Sequence, residues 1–390
     1  MSDWKTKTLG EVTSYIAKGI PPKYVEEVTD DTISVLNQKC NRNFRISYDD
    51  SRLHNNAAKK VPDVKMLKLG DVLINSTGTG TAGRVAQIWD IPVPTTLDGH
   101  MILMRPTDEI EPLYYGYAIK AFQAAIESYA EGSTGQTEIN KTRLQNETLI
   151  TYPVDKGEQS KIARILAALD EKILLNEEVN KNLQEQAQAI YTDTFITNAD
   201  PSWSAGVLSD IAEITMGQSP KGDTYNENGN GTVFFQGRAE FGFRFPTRRL
   251  YTTDPKRMSQ ANDVLLSVRA PVGDLNVAYE PCCIGRGLGA IHSKDSHQSF
   301  VLYTMFALRQ KLDMFNGEGT VFGSINRDAL NSMELLIPPT ELMDRFEETV
   351  APMDATIRNN YEEICRLESI RDSLLPRLMS GELDVSDIDL

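Results

Sequence analysis

Residues 159–190 read QSKIARILAALDEKILLNEEVNKNLQEQAQAI. Positions 159, 162, 166, 169, 173, 176, 180, 183, 187 and 190 step alternately by three and four, as the a/d seam of a coiled coil does. They are Gln159, Ile162, Leu166, Leu169, Ile173, Asn176, Asn180, Leu183, Ala187 and Ile190. Glu, Lys, Gln and Ala fill most of the remaining positions, and all are good helix formers. Shifting each position by 184 gives Met343, Phe346, Val350, Met353, Ile357, Asn360, Ile364, Leu367, Arg371 and Leu374. One heptad register is therefore kept twice.

Each such helix, of about 36 residues, would run roughly 54 Å. A lone helix with an apolar seam is not stable in water, so each needs a partner. The simplest partner is the other copy. If a dyad relates the two, they pack antiparallel and bring Asn176 and Asn360, both near the helix midpoints, close together. A buried Asn in a seam fixes register at a cost in stability. The alternative is that each is a core helix of its own domain, and the matching register argues against it. Pro352 is expected to kink or delay the second helix, and Pro376 to disturb its end.

The duplication extends beyond the helices. Trp4–Pro22 reads WKTKTLGEVTSYIAKGIPP, and Trp203–Pro220 reads WSAGVLSDIAEITMGQSP. Leu69–Ser76, LGDVLINS, recurs as Ala261–Ser267, ANDVLLS. Gly132–Pro153, GSTGQTEINKTRLQNETLITYP, recurs as Gly317–Pro339, GEGTVFGSINRDALNSMELLIPP. The offset drifts from 199 at Leu9/Leu208 to 184 at Asn176/Asn360, and the order never changes. Between these anchors, residues 23–68 and 221–260 share no obvious pattern. A common frame with divergent inserts suits a scaffold presenting two different reading surfaces. The implied boundaries are 1–153 for the first globular block, 154–200 for the first helix, 201–339 for the second block, and 340–390 for the second helix and tail.

Each block reads as α+β. Leu9–Val12 looks like an opening strand. Val72–Ile74 and Val264–Leu266 are short apolar runs after turn residues, hence buried strands. Residues 114–129 and 300–315 have helical spacing. Gly78-Thr79-Gly80-Thr81-Ala82-Gly83 fits G-x-G-x-x-G after a strand, the pattern of a dinucleotide or S-adenosylmethionine site. The residues that follow, Arg84–Trp89, look like a strand rather than a helix opening. The second copy has Arg269-Ala270-Pro271-Val272-Gly273 there, so a turn between two strands is the better reading.

The net charge of −15 is unexpected for a chain that touches phosphate. Its distribution softens the objection. Residues 1–150 hold 17 basic and 19 acidic groups, and 201–338 hold 13 and 14. The helical segments 151–200 and 339–390 hold 5 against 9 and 5 against 13. The blocks are near neutral and can carry local basic faces, while a partner that supplies positive charge is implied. Cys40, Cys282, Cys283 and Cys365 form no C-x-x-C pair, and His54, His100, His292 and His297 fit no metal or triad spacing. Reduced thiols, no metal site and no catalytic residues are expected. Without an apolar leader or an 18-residue apolar run, a cytoplasmic location is expected.

Base reading favours Arg on guanine and Asn or Gln on adenine. Two divergent stretches are rich in such residues. The first supplies Asn37, Gln38, Lys39, Asn41, Arg42 and Arg45; the second supplies Gln236, Arg238, Arg244, Arg248 and Arg249. Ser76 and Thr77, and Ser267 and Arg269, end the probable strands and are added as DNA-binding candidates.

Taken together, the chain resembles the specificity subunits of type I restriction–modification systems. The similarity lies in tandem blocks that open W-x-x-x-x-L-G/S-x-[IV], and in the signature Gln159–Ile173, Q-x-x-I-A-x-I-L-x-x-L-D-x-x-I. It covers nearly the whole chain, although the second helix departs from the signature and is matched by position. The resemblance implies two target-recognition domains separated by an antiparallel pair of long coiled-coil helices, with pseudo-twofold symmetry. Each domain would read half of a bipartite site on double-stranded DNA, and the helices would set the spacing. Two methyltransferase subunits would dock and bring S-adenosylmethionine, with base flipping as part of their adenine chemistry. Restriction subunits would bring ATP and magnesium. The chain itself would be non-catalytic. A nuclease or methyltransferase fragment, or an orphan protein-interaction scaffold, are the alternatives.

Overall fold

The computed structural model describes residues 3–132, 137–317, 323–385 and 388. They divide into two units, Met1–Leu175 with Glu363–Leu390, and Asn176–Glu362. Residues 133–136 and 318–322, in the glycine-rich openings of the third repeated segment, lie outside the described residues.

In the first unit, strand Trp4–Thr8 pairs antiparallel with Leu149–Pro153. A four-stranded antiparallel sheet runs in the order Thr13–Lys18, Met101–Pro106, Val72–Asn75, Val85–Gln87. A second sheet has the order Thr95–Leu97, Thr32–Leu36, Arg52–Asn55, Tyr24–Val25, and its first two strands run parallel. Helix Pro112–Ala121 contributes six consecutive buried residues, Tyr114–Ile119, to the core.

The second unit repeats this plan. Ser204–Val207 pairs with Glu334–Ile337. One sheet runs Ala212–Met216, Leu288–Ser293, Val264–Ser267, Leu275–Val277. The other runs Tyr225–Asn226, Tyr251–Thr252, Thr232–Phe235, Cys282–Ile284, Met258–Ser259, again with a parallel pair, Thr232–Phe235 and Cys282–Ile284. Helix Gln298–Ala307 stands where Pro112–Ala121 does. The inserts that share no sequence pattern thus build corresponding sheets, with Met258–Ser259 added as a fifth strand in the second unit. Val72–Asn75 and Val264–Ser267 are buried along their whole length because each lies between two neighbours, which explains their continuous apolar runs.

Leu9–Val12 is a turn rather than a strand, and in the second unit Leu208–Ile211 is a single helical turn. Leu9 and Val12 are apolar because they are fully buried, and the backbone amide of Leu9 donates to Thr148 O. Residues 78–83 make the turn between antiparallel strands Val72–Asn75 and Val85–Gln87, with Gly78, Gly80 and Gly83 at positive φ. The four cysteines are free, with Cys40, Cys282 and Cys283 buried.

The long helices are Lys156–Thr192 and Thr340–Met379. The second continues through Pro352 and Pro376 without a break or a delayed start. A proline removes a single N–H from the ladder, and the buried Val350 and Ile357 that flank Pro352 hold the helix on its core. In each unit, part of one helix packs against part of the other. In the first unit, Asp170 pairs with Arg371 at 2.8 Å and Lys172 with Glu363 at 3.4 Å. In the second, Asn360 Nδ2 donates to Asn180 Oδ1 at 2.8 Å, and the Tyr191 and Phe346 rings lie 5.8 Å apart. Rising numbers on one helix meet falling numbers on the other, so the packing is antiparallel in both.

The Asn180–Asn360 contact lies one turn along the first helix from Asn176. One expectation is corrected here: the seam is not purely helix on helix. Ile162, Leu166, Leu375 and Leu378 share a core with Leu9 and Tyr114, while Phe346, Val350 and Ile357 share one with Phe300 and Tyr303. Each helix segment is both a partner and a core helix. None of the seam positions is exposed: Ile162, Leu166, Ile173, Asn176, Phe346, Val350 and Ile357 are buried, and Leu169, Leu183, Ile190, Met353, Asn360, Ile364, Leu367 and Leu374 are half-buried.

Candidate nucleic-acid interface

In each unit the loops that follow the central strands meet at one end of the two sheets. Two glycines make this possible. A Cβ at Gly19 would lie 2.1 Å from Asp98 O, and one at Gly217 would lie 2.2 Å from Gly285 O. No side chain fits at either place. In the first unit the convergence joins Ile20 N to Leu97 O, Asp98 N to Leu36 O and Ser76 N to His100 O. In the second it joins Gln218 N to Ile284 O, Gly285 N to Phe235 O and Val268 N to Gly287 O. The backbone arrangement is shared, and the side chains it presents are not.

In the first unit, Gln38 Nε2 donates to Thr77 Oγ1 at 2.8 Å and also to Thr77 O. His100 Nδ1 lies 3.1 Å from Thr77 Oγ1. In the second unit, Gln236 Nε2 donates to Ser219 Oγ at 2.8 Å, which also accepts from the backbone of Arg286. Arg269 Nε donates to Arg286 O at 3.3 Å. Arg269 and Arg286 are exposed, and neither has a carboxylate partner among the described residues. Without carboxylate partners, Arg286 keeps its fork for a ligand and Arg269 keeps its two terminal nitrogens.

Several candidates are spent on the protein itself. Asn41, Ser76, Arg244 and Ser267 are buried. Asn41 Nδ2 donates to Asn75 Oδ1 and Arg84 O, and Ser267 Oγ donates to Arg269 O and Pro271 O. Arg244 reaches Asp354 at 3.0 Å and the Tyr303 hydroxyl at 3.1 Å. Asn37 caps the short helical turn Gln38–Cys40. Arg45 stacks 4.2 Å above the Trp89 ring. Arg238 pairs with Asp274, Arg248 with Glu280 at 2.6 Å, and Arg249 with Glu240 at 2.6 Å. Exposed pairs of this kind hold loosely, so these three remain at the surface with reduced free charge.

The first unit also has a concave pocket of about 550 Å³ beside Gln38. Its wall contains Lys39, Arg42, Arg84 and Lys120 together with Asn41, Asn43 and Gln123, and no carboxylate. The hairpin Asn41–Arg42/Arg45–Ile46 forms one side, and its turn residues Asn43 and Phe44 have φ of 51° and 65°. Asn tolerates this region, and Phe44 is held there by its ring, 4.9 Å from that of Tyr117. Burial holds the Lys120 ammonium below the ordinary lysine range. Sequence reading missed His100, Arg286, Ser219, Arg84 and Lys120. The first four are brought in by neighbouring strands and Lys120 by helix Pro112–Ala121, and the recurrence of these elements is the signal that leads to them.

Known proteins give the assignment. A specificity subunit of a type I restriction enzyme named MjaX, from Methanocaldococcus jannaschii, is 29% identical over 98% of this chain and 94% of that protein. The MjaIX specificity subunit of the same organism is 22% identical over 99% and 95%. The crystal structure of a type I S subunit from M. genitalium superposes with a TM-score of 0.57 at 16% identity, covering 97% of this chain and 96% of that one. No helix among the described residues is long and apolar enough to cross a membrane. The sequence model of the type I restriction modification DNA specificity domain matches twice, over residues 1–185 and 202–365. The chain therefore belongs to the family of type I restriction–modification specificity subunits, the non-catalytic component that recognises DNA sequence and assembles with the other subunits of the system.

Proposed function

We propose that each unit reads one half of a bipartite DNA site through the loops gathered at the end of its two sheets. One observation carries this reading: the same loop convergence recurs in both units with unlike side chains, Gln38, Thr77 and His100 in one and Gln236, Arg269 and Arg286 in the other. A shared backbone gives a common docking geometry. Different donors and acceptors give different base preferences.

On this reading the paired long helices set the gap between half-sites. Their acidic surface is unsuited to phosphate and fits the docking of two methyltransferase subunits. Those subunits would bring S-adenosylmethionine, and restriction subunits would bring ATP and magnesium. Exchange of residues 1–153 for the same block of a relative tests the division of labour. The methylated motif of the host should change in one half only, and a change in both halves would refute the reading.

A further inference from the structure

The two units differ at one place beside the reader loops. Asp274 stands in the second unit where Arg84 stands in the first, one residue before the strands Leu275–Val277 and Val85–Gln87. Asp274 holds Arg238, and Arg309 lies 2.9 Å away on its other oxygen. Arg309 in turn stands where Gln123 does, twelve residues into the matching helical segment. The second unit therefore closes this site with its own carboxylate, which satisfies both arginines.

In the first unit the same place is open. Lys39, Arg42, Arg84 and Lys120 surround a space of about 550 Å³ with no carboxylate in its wall. What these cations hold is mostly neutral. Arg84 donates to Gly80 O at 3.0 Å, and Lys120 donates to Gln123 Oε1 at 3.0 Å. Arg42 reaches Asp50, outside the pocket wall, at 3.5 Å in an exposed pair that holds loosely. With no carboxylate in the pocket wall the four cations repel one another, and an incoming anion relieves that repulsion. The amide of Asn43 lies in the same wall and can donate to oxygens, whereas those of Gln38 and Gln123 already donate to Thr77 and Glu127.

We infer that this pocket binds a phosphate ester, and specifically one phosphodiester of the DNA backbone next to the half-site read by the first unit. The inference rests on the DNA-reading function proposed above. It makes the units unlike in how they bind: the first anchors through phosphate, and the second relies on its exposed Arg269 and Arg286.

The test uses the full chain purified with the other subunits of its system. DNA affinity is measured by fluorescence anisotropy across a salt series, for the methylated motif and for unrelated duplex. In the triple variant Lys39→Ala, Arg42→Ala, Arg84→Gln, the slope of log affinity against log salt should fall by about 0.9 for one lost phosphate. Affinity for both duplexes should fall by the same factor, and the methylated motif should stay the same. Arg309→Gln, in the second unit, which leaves Asp274 paired with Arg238, should leave the slope unchanged. An unchanged slope in the triple variant overturns the inference, and so does an altered first half-site, which would mean base reading. Saturable binding of adenosine monophosphate to the DNA-free complex, lost in the triple variant while the salt slope stays constant, would assign the pocket to a free nucleotide and also overturn it. If the unaltered complex shows no preference for its motif over unrelated DNA, the functional reading fails instead.

Discussion

Tyr117 donates a 2.6 Å hydrogen bond to Asp170, a carboxylate only 5% exposed on the first long helix. Arg371 completes the cluster at 2.8 Å. The second unit repeats the pair as Tyr303 and Asp354, 3.0 Å apart, but takes its cation from Arg244. The duplication kept the tyrosine and the carboxylate and replaced the guanidinium. A buried charge that loses its partner is costly, so Asp170→Ala should destabilise the first unit by about 3–5 kcal/mol, read from urea midpoints. Tyr117→Phe should cost about 1–3 kcal/mol, because it leaves one buried carboxylate oxygen without its donor. Losses below about 1 kcal/mol in both would show that the cluster is not coupled to folding.

The Asn180–Asn360 contact is a polar pair within an apolar packing. Changing Asn360 alone to Leu leaves the Asn180 oxygen without its partner at a cost of about 1–3 kcal/mol. Changing both to Leu should recover that loss or exceed wild-type stability, at the expense of a fixed register. A thermal double-mutant cycle measures the coupling, and additive losses would count against a direct interaction.

Glu368, on the second long helix, is held above the ordinary carboxylate range chiefly by burial. A raised carboxylate binds its proton more tightly in the folded state than in the unfolded one. Stability therefore falls as pH rises from about 4.5 through the folded-state value, and the cost is in full force at neutral pH. Glu368→Gln should be more stable than wild type at pH 7, with the difference fading below about pH 4.5. Chemical denaturation at both values checks the sign.

The reader loops give a prediction of selectivity. Arg286→Ala or Arg269→Ala should relax one position of one half-site, with about 1–3 kcal/mol of lost discrimination for a bidentate contact. Gln38→Ala and His100→Ala should affect only the other half. Methylome sequencing of cells carrying each variant reads both halves at once. An arginine variant that altered the half-site assigned to the first unit would contradict the assignment of loops to half-sites.

The frame of the molecule could be read from sequence because repetition is independent of local propensity. Residues 69–76 and 261–267 announce the same buried strand twice, and the helix register at a constant offset announces its partner. The reading surface was harder to see. A cluster such as Asn37–Arg45 shows that polar groups are dense, but not which of them turn inward. Asn41 and Arg244 both have the chemistry of base readers, yet one ties a hairpin to a strand and the other neutralises Asp354. His100 and Arg286 were missed for the opposite reason. Each is a single polar residue in a short turn, and only the pairing of strands brings it beside Thr77 or Arg269. The apolar residues of Leu9–Val12 suggest a strand, whereas burial of a turn explains the same pattern.

Leu375, Leu378, Met379 and Val385 lie in the same core as Leu9 and Tyr114. The unit that is begun first on the ribosome is thus finished last, since it waits for residues made after the whole of Asn176–Glu362. The contiguous unit can close as it emerges, whereas the other must hold an unfinished apolar surface through most of synthesis. A frameshift or early stop after residue 362 would leave the later-made unit intact and strand the earlier one, so a shortened product could keep one half of the specificity while losing the other.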